Sequence, residues 1–305
     1  MIKDTPVINE VSIEAPAKIN LFLEILGKRD DGFHEIETVM QEIDITDMLR
    51  FKEIEEGVRL ECEDNSIPLN EDNLVYKAAK LIQRDCGIKK GALIRLEKRI
   101  PVGAGLGGGS SDAAATLKAL NLLWKIGLSD AELVKLASKL GSDVAFFIEG
   151  KTSLCKGRGE KVYPIESNSK LNYIVIFPNI NVSTKAIYEN VRLDLTKKRK
   201  DVSFLMEVLR SSNAFSLGKL LFNRLEETIF AQYPGLRKIK DSLKCFGFRG
   251  ILVSGSGSSI FGLCNDWNQA KVIRNEIDAR GFGKVFVATS VTVPQVKRQA
   301  EREDL

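Results

Sequence analysis

Apolar and polar positions alternate along residues 11–26. Ala17, Ile19, Leu21, Leu23 and Ile25 share one parity, and Lys18, Asn20, Phe22 and Glu24 share the other. A period of two is that of a strand, so this stretch predicts a half-buried strand with one polar face. GKRDDG at 27–32 reads as a turn, and strand-like alternation resumes over 34–51. Over 73–86 the period changes: Leu74, Ala78, Leu81 and Ile82 take helical spacing, and Gly87 supplies a stop. Residues 92–101 read as a strand ended by Pro101, 102–111 as a loop, and 112–124 as a helix with Ala113, Leu117, Leu120 and Trp124 on one face. Ser129 and Glu132 form a capping box that opens the next helix.

The polar stretch ESNSK at 166–170 separates KVYPI from the apolar run YIVIFP, which places a domain boundary near residue 168. Beyond it, helical patterns occupy 184–192, 201–210, 216–231 and 236–245, and strand-like runs occupy 249–254, 259–264 and 284–291. The basic run 197–201 reads as a solvated loop, and the charged tail from Lys297 as a fraying end.

Composition narrows the possibilities. With 45 Lys and Arg against 41 Asp and Glu, the net charge of +4 does not by itself call for a nucleic acid. A single histidine, His34, excludes sites that need two His ligands. Five widely spaced cysteines without a C-x-x-C pair argue for reduced thiols rather than a disulfide framework or a zinc cluster. No apolar run reaches the length of a signal sequence or a membrane span, so a cytoplasmic protein is expected.

Three segments stand out chemically. The first is PVGAGLGGGSSD, with five glycines between residues 103 and 109. Glycine weakens ordinary elements, so such a run is better explained by close backbone approach, with N–H groups turned toward an anion. The helix that follows aims its N-terminus at the same place. No Lys follows the glycines as a Walker A loop requires, and the G-x-G-x-x-G match lacks the context of a dinucleotide fold. The second segment is APAKIN, where Lys18 and Asn20 share a strand face. The third is GSDVAFF, where Ser142 or Asp143 is either a helix N-cap or an acid with a function.

Taken with residues 27–34 and the run VSGSGSSIFG, these segments resemble the motifs of the GHMP small-molecule kinases, in the same order over roughly residues 11–291. Residues 16–21, 27–34 and Thr38 resemble the branch whose acceptor is a cytidine diphosphate-linked methylerythritol. Mevalonate and homoserine kinases are the alternative within the same family. The resemblance implies an α+β protein. Its N-terminal domain, 1–168, would be ribosomal-protein-S5-like and its C-terminal domain, 169–305, ferredoxin-like, with nucleotide and acceptor meeting between them.

The resemblance also implies roles. Asp143 would be the general base and Lys18 its partner, with Asn20 on the acceptor's hydroxyls. Pro101, Gly103, Gly105, Leu106, Gly107, Gly108, Gly109, Ser110 and Ser111 would surround the ATP phosphates, with Asn73, Leu74 and Lys98 lining the adenine pocket. Phe33, His34 and Tyr188 would hold cytosine, Phe33 standing where Tyr is commoner, and Gly257 and Ser258, in the run that closes over the glycine loop from the C-terminal domain, would bind substrate. Ala145 stands where Pro commonly follows the Asp-Val pair. Mg2+ would enter with ATP, Asp143 being the best-placed acid and Glu149 a weaker one, with no metal site built by the protein alone. The partners implied are small molecules, without nucleic acid or membrane, for a monomer or homodimer.

Overall fold

The computed structural model describes residues 10–167, 170–191, 199–211 and 214–291. The charged tail from Lys297 lies outside the described residues, as do positions 197 and 198 of the basic run. The first part of the chain runs β1 (Glu10–Lys28), β2 (His34–Ile54), β3 (Val58–Cys62), α1 (Leu74–Asp85), β4 (Gly91–Glu97), α2 (Gly108–Leu123), α3 (Asp130–Leu140), α4 (Ser142–Glu149), β5 (Thr152–Gly157) and β6 (Lys161–Pro164). The rest runs β7 (Asn172–Phe177), α5 (Thr184–Glu189), α6 (Ser203–Arg210), α7 (Ala214–Leu217), β8 (Phe222–Asn223), α8 (Glu226–Gln232), α9 (Pro234–Leu243), β9 (Gly250–Val253), β10 (Ile260–Leu263), α10 (Trp267–Asp278) and β11 (Lys284–Thr289).

Two sheets result. The first has the order β3-β4-β2-β1-β8, with β5 also on β2 and β6 on β5. The second is β11-β7-β10-β9, with every pair antiparallel. β1 is the shared spine. Ile13 and Ala15 pack with α1 to α4, Ala17, Ile19 and Leu21 against the second sheet, and Leu23 and Ile25 into the core under α8, α9 and α10. Register shifts after Pro16 and Asn20 let one strand serve three surroundings. The polar parity expected to face solvent is buried as well: Lys18, Asn20, Phe22 and Glu24 are all inside. Alternation reports which residues share a face, but not what covers that face.

Two element expectations are corrected. The glycine helix starts at Gly108, four residues before the expected start at 112, because Gly107 at φ +71° makes the N-terminal turn that a side chain would hinder. The pattern over 216–231 is not one helix. It breaks into two short helical turns, the strand β8, and α8. A Cβ on Gly218 would overlap the Arg249 carbonyl, and the Asn223 amide donates to the carbonyls of Val253 (2.9 Å) and Gly255 (2.8 Å). These contacts hold the segment extended against β1. The capping box at Ser129 and Glu132 is present.

The sheets are joined by polar contacts as well as by packing. The Tyr173 hydroxyl donates to Gln41 Oε1 (2.5 Å), and Asp44 accepts from the backbone N–H and the hydroxyl of Thr289.

Candidate active site

A cleft of about 1200 Å3 runs between the glycine segment, the N-terminal end of α4, the turn before β2, and α5. Its floor is built around residues 103–107. Gly103, Gly105 and Gly107 all hold left-handed φ, which glycine adopts freely. The segment is tied down from both sides. The Lys18 N–H donates to the Leu106 carbonyl (2.9 Å), the Ser259 N–H to Ala104 (3.1 Å), and the Ser254 hydroxyl to Gly105 (3.0 Å). A Cβ on Gly105 would strike the carbonyls of Ser254 and Gly257. Gly108, Gly109 and Ser110 form the first turn of α2, where N–H groups have no partner within the helix. With the helix dipole they make an anion cradle.

Beside the cradle lies a polar chain. Lys18 Nζ donates to Asn20 Oδ1 (2.7 Å) and sits 3.5 Å from Asp143 Oδ2. Asn20 Nδ2 donates to the Thr38 hydroxyl (2.9 Å), which donates to the Phe22 carbonyl (2.6 Å). Lys18 is 5% exposed at its side chain while Asp143 is 34% exposed, so the acid faces the cleft and the ammonium lies behind it. Asp143 is in the first turn of α4; the cap position is Gly141, which corrects the capping roles open to Ser142 and Asp143.

The aromatic end holds Phe33, His34 and Tyr188. Tyr188 packs on His34 at 5.4 Å between ring centroids. Phe33 is over half exposed, and the Arg158 guanidinium covers its ring at 4.8 Å. Burial, then the nearby Lys28, hold the His34 pKa below the ordinary histidine value, so the ring is neutral at pH 7.

At the other end Pro101, Asn73 and Leu74 line the cleft. Asn73 caps α1 by accepting from the Val75 N–H (2.8 Å) and donates to the Pro68 carbonyl (2.8 Å). Lys98 lines the cleft but is not free. Its ammonium lies between Asp47, at hydrogen-bond distance, and Asp112 (2.9 Å), with all three side chains buried. Burial, then the charge of Asp47, outweigh Lys98 and push Asp112 up to about 7. Burial works against the Lys98 charge, but Asp112 and Asp47 together hold its pKa above the ordinary lysine value.

Four positions expected in the site lie behind it. Leu106 and Ser111 are buried, with Ser111 facing a small cavity on the far side of α2. Gly257 touches the glycine segment from the rear and Ser258 is fully buried; Gly255 and Ser256 reach the cleft in their place. Glu149 ends α4, at the opposite end from Asp143, and lines that same small cavity. Ala145 is fully buried.

Sequence reasoning did not single out Arg158, Asp47 or Asp112 as site residues. Asp112 closes the motif GGGSSD and was legible by position. Asp47 carried no signal, since it meets Lys98 only through the pairing of β2 with β4.

Comparison with known proteins bears on this geometry. Residues 73–151 match the model of the GHMP kinases N terminal domain, and residues 205–282 that of the GHMP kinases C terminal. A 4-diphosphocytidyl-2-C-methyl-D-erythritol kinase of Shouchella clausii is 41% identical over 89% of this chain and 91% of its own. One of Caldicellulosiruptor bescii is 39% identical over 86% of this chain and 92% of its own. The chain belongs to the 4-diphosphocytidyl-2-C-methyl-D-erythritol kinase family of GHMP kinases. A crystal structure of a 4-(cytidine 5'-diphospho)-2C-methyl-D-erythritol kinase superposes with a TM-score of 0.80 at 34% identity, covering 92% of this chain and 98% of that one. A homoserine kinase from Cytophaga hutchinsonii shares the fold at 23% identity and a TM-score of 0.76. Membership in the 4-diphosphocytidyl-2-C-methyl-D-erythritol kinase family makes this a small-molecule kinase that uses ATP as co-substrate.

Proposed function

We propose that this chain transfers the γ-phosphoryl group of ATP to the 2-hydroxyl of 4-diphosphocytidyl-2-C-methyl-D-erythritol, in the non-mevalonate route to isoprenoid precursors. The observation that carries the reading is the exposed Asp143 carboxylate, paired with buried Lys18 between an anion cradle and an aromatic end. Phosphoryl transfer needs positioning and charge stabilisation more than covalent chemistry. Asp143 would take the proton of the acceptor hydroxyl as its oxygen approaches phosphorus. Lys18, steadied by Asn20, would hold the carboxylate in place and offset the charge that develops on the alkoxide and the transferring group.

The N–H groups of Gly108, Gly109 and Ser110 would take the phosphate oxygens, with Gly103, Gly105 and Gly107 shaping the approach. Asn73, Leu74 and Pro101 line the nucleotide end, with Lys98 contributing through its carboxylate pair. The exposed face of Phe33, with neutral His34 and Tyr188, suits a flat base offering hydrogen-bonding edges. Arg158 brings positive charge to the end where the acceptor's diphosphate has to lie.

Mg2+ would accompany ATP. It commonly binds through one or two carboxylates plus phosphate oxygens, and Asp143 offers such an oxygen on the cleft side. When bound, the ion would neutralise charge on the terminal phosphates. The same reading divides the chain into domains 1–168 and 169–305. It makes the protein a cytoplasmic monomer or homodimer acting on small molecules, without nucleic-acid or membrane partners. The gap between β6, ending at Pro164, and β7, starting at Asn172, supports the division, although β8 returns to the first sheet.

The test is ADP release followed with ATP and Mg2+ in the presence of the cytidyl acceptor, with mevalonate and homoserine as controls. Release that depends on the cytidyl acceptor is expected; release with a control alone overturns the acceptor assignment. Asp143→Ala should lower kcat by about 10²–10⁴-fold, as loss of a general base does.

A further inference from the structure

Both helices that face the reaction are also tied together at the rear. α2 presents the anion cradle at its N-terminus and α4 presents Asp143 in its first turn. Lys118, on α2, reaches the other end of α4, where its Nζ donates to the Phe147 carbonyl (2.8 Å). That carbonyl is among the last four of the helix, which lack partners inside it, and a cation there also meets the negative end of the dipole. The Phe147 ring lies beneath Gly107, and a Cβ at that glycine would come within 3.0 Å of both the ring and the Lys18 stem.

The chain then turns through Gly150 and Lys151, both with positive φ. Buried Glu42 of β2 holds this turn. Its carboxylate accepts from the Lys151 N–H (2.7 Å), and its own N–H donates to the Lys151 carbonyl (2.7 Å). Glu42 is also the direct sheet partner of Lys18. Glu42, Lys118 and the unpartnered Ser111 hydroxyl line one cavity of about 70 Å3 behind α2.

We propose that Lys118 and Glu42 are positioning residues for phosphoryl transfer, fixing α4 against α2 so that Asp143 stands at the correct distance from the phosphate cradle. The inference rests on the kinase reading above. Neither residue lines the catalytic cleft, so their effect would reach the reaction only through the two helices.

The charges give the device a pH dependence. Burial pushes Glu42 up to about 6, against its bond from Lys151 and the charges of Lys118 and Lys151. Burial also lowers Lys118, against Glu42, Asp130 and Glu149. Glu14 of β1 completes the charged lining. Below about pH 6 Glu42 is neutral, and its attraction for Lys118 and its grip on the turn both weaken.

Lys118→Met should lower kcat by about 10–100-fold, the scale of a small misplacement of reacting groups, with KM for ATP and for the cytidyl acceptor within twofold. Unchanged kcat, or a rise in ATP KM with kcat intact, overturns the proposal. If Lys118→Met does not fold, Glu42→Gln decides. A neutral side chain is easier to bury than a carboxylate, so this variant should unfold no more readily than wild type above pH 7. Its kcat at pH 8 should fall to the value wild type shows below pH 6, and the acid limb near pH 6 should vanish. Wild-type kcat together with a retained limb refutes the role. Wild-type protein without acceptor-dependent ADP release would instead refute the kinase reading, which keeps the two failures distinct.

Discussion

At the residue scale, the exposed ring of Phe33 acquires its meaning from a neighbour distant in sequence. Phe33 is exposed on one side and covered by Arg158 on the other. A base laid on an aromatic face gains about 1–3 kcal/mol. Phe33→Ala should therefore raise the acceptor KM by about 5–150-fold and leave the ATP KM unchanged, as steady-state kinetics with each substrate varied would show. A larger effect on ATP would remove Phe33 from the acceptor end. Phe33 and His34 were legible because they belong to one contiguous run, 27–34. Arg158 was not, because it comes to the ring from the end of the β5 hairpin, more than a hundred residues away.

At the element scale, the junction of β2, β4 and α2 is held by Asp47, Lys98 and Asp112. Two carboxylates share one ammonium, so one of them is costly to keep charged. Asp112, ordinarily near 3.8, rises to about 7. Its contribution to stability is full below pH 3.8 and is lost as pH rises through 7. Asp112→Asn should remove that loss: urea unfolding at pH 5.5 and 8 should show a smaller drop for the variant than for wild type. Lys98→Met leaves both acids buried without their cation and should cost about 3–5 kcal/mol at pH 8. An equal pH dependence in wild type and Asp112→Asn would show that Asp112 is not the titrating group. The glycine helix teaches a related lesson. Apolar periodicity located its body, whereas its true start is set by the left-handed Gly107 and the segments that pin the loop.

Across the whole molecule, a buried pair fastens the short strand β8, which follows the second sheet's first strand in the chain, to the spine strand β1. Arg224, beside β8, donates twice to Glu24 of β1, at 2.7 Å each. Burial alone would raise the Glu24 pKa. Arg224 and the N–H groups of Lys200 and Ile25 outweigh it and hold the carboxyl below its ordinary 4.5. That stabilisation is present above pH 4.5 and fades as pH falls through the lowered value. Arg224→Ala should cost about 3–5 kcal/mol at pH 7, because Glu24 remains buried without its cation, and less at pH 4. Chemical denaturation at the two pH values measures both, and a variant as stable as wild type at pH 7 would show that the pair does not fasten β8 to β1.

The sequence by itself determined the strand and helix faces, the glycine anion loop, the motif acid and lysine, and the family to which they belong. These are local properties, carried by periodicity and by contiguous runs. Only the tertiary structure decided that the polar face of β1 is buried, that Lys98 is shared between Asp47 and Asp112, that Ser258 lies behind the cleft, and that Lys118 braces α4. Each of these depends on which distant element covers a face. A buried charge is stable only where such an element brings its partner, and residue spacing along the chain does not encode that meeting.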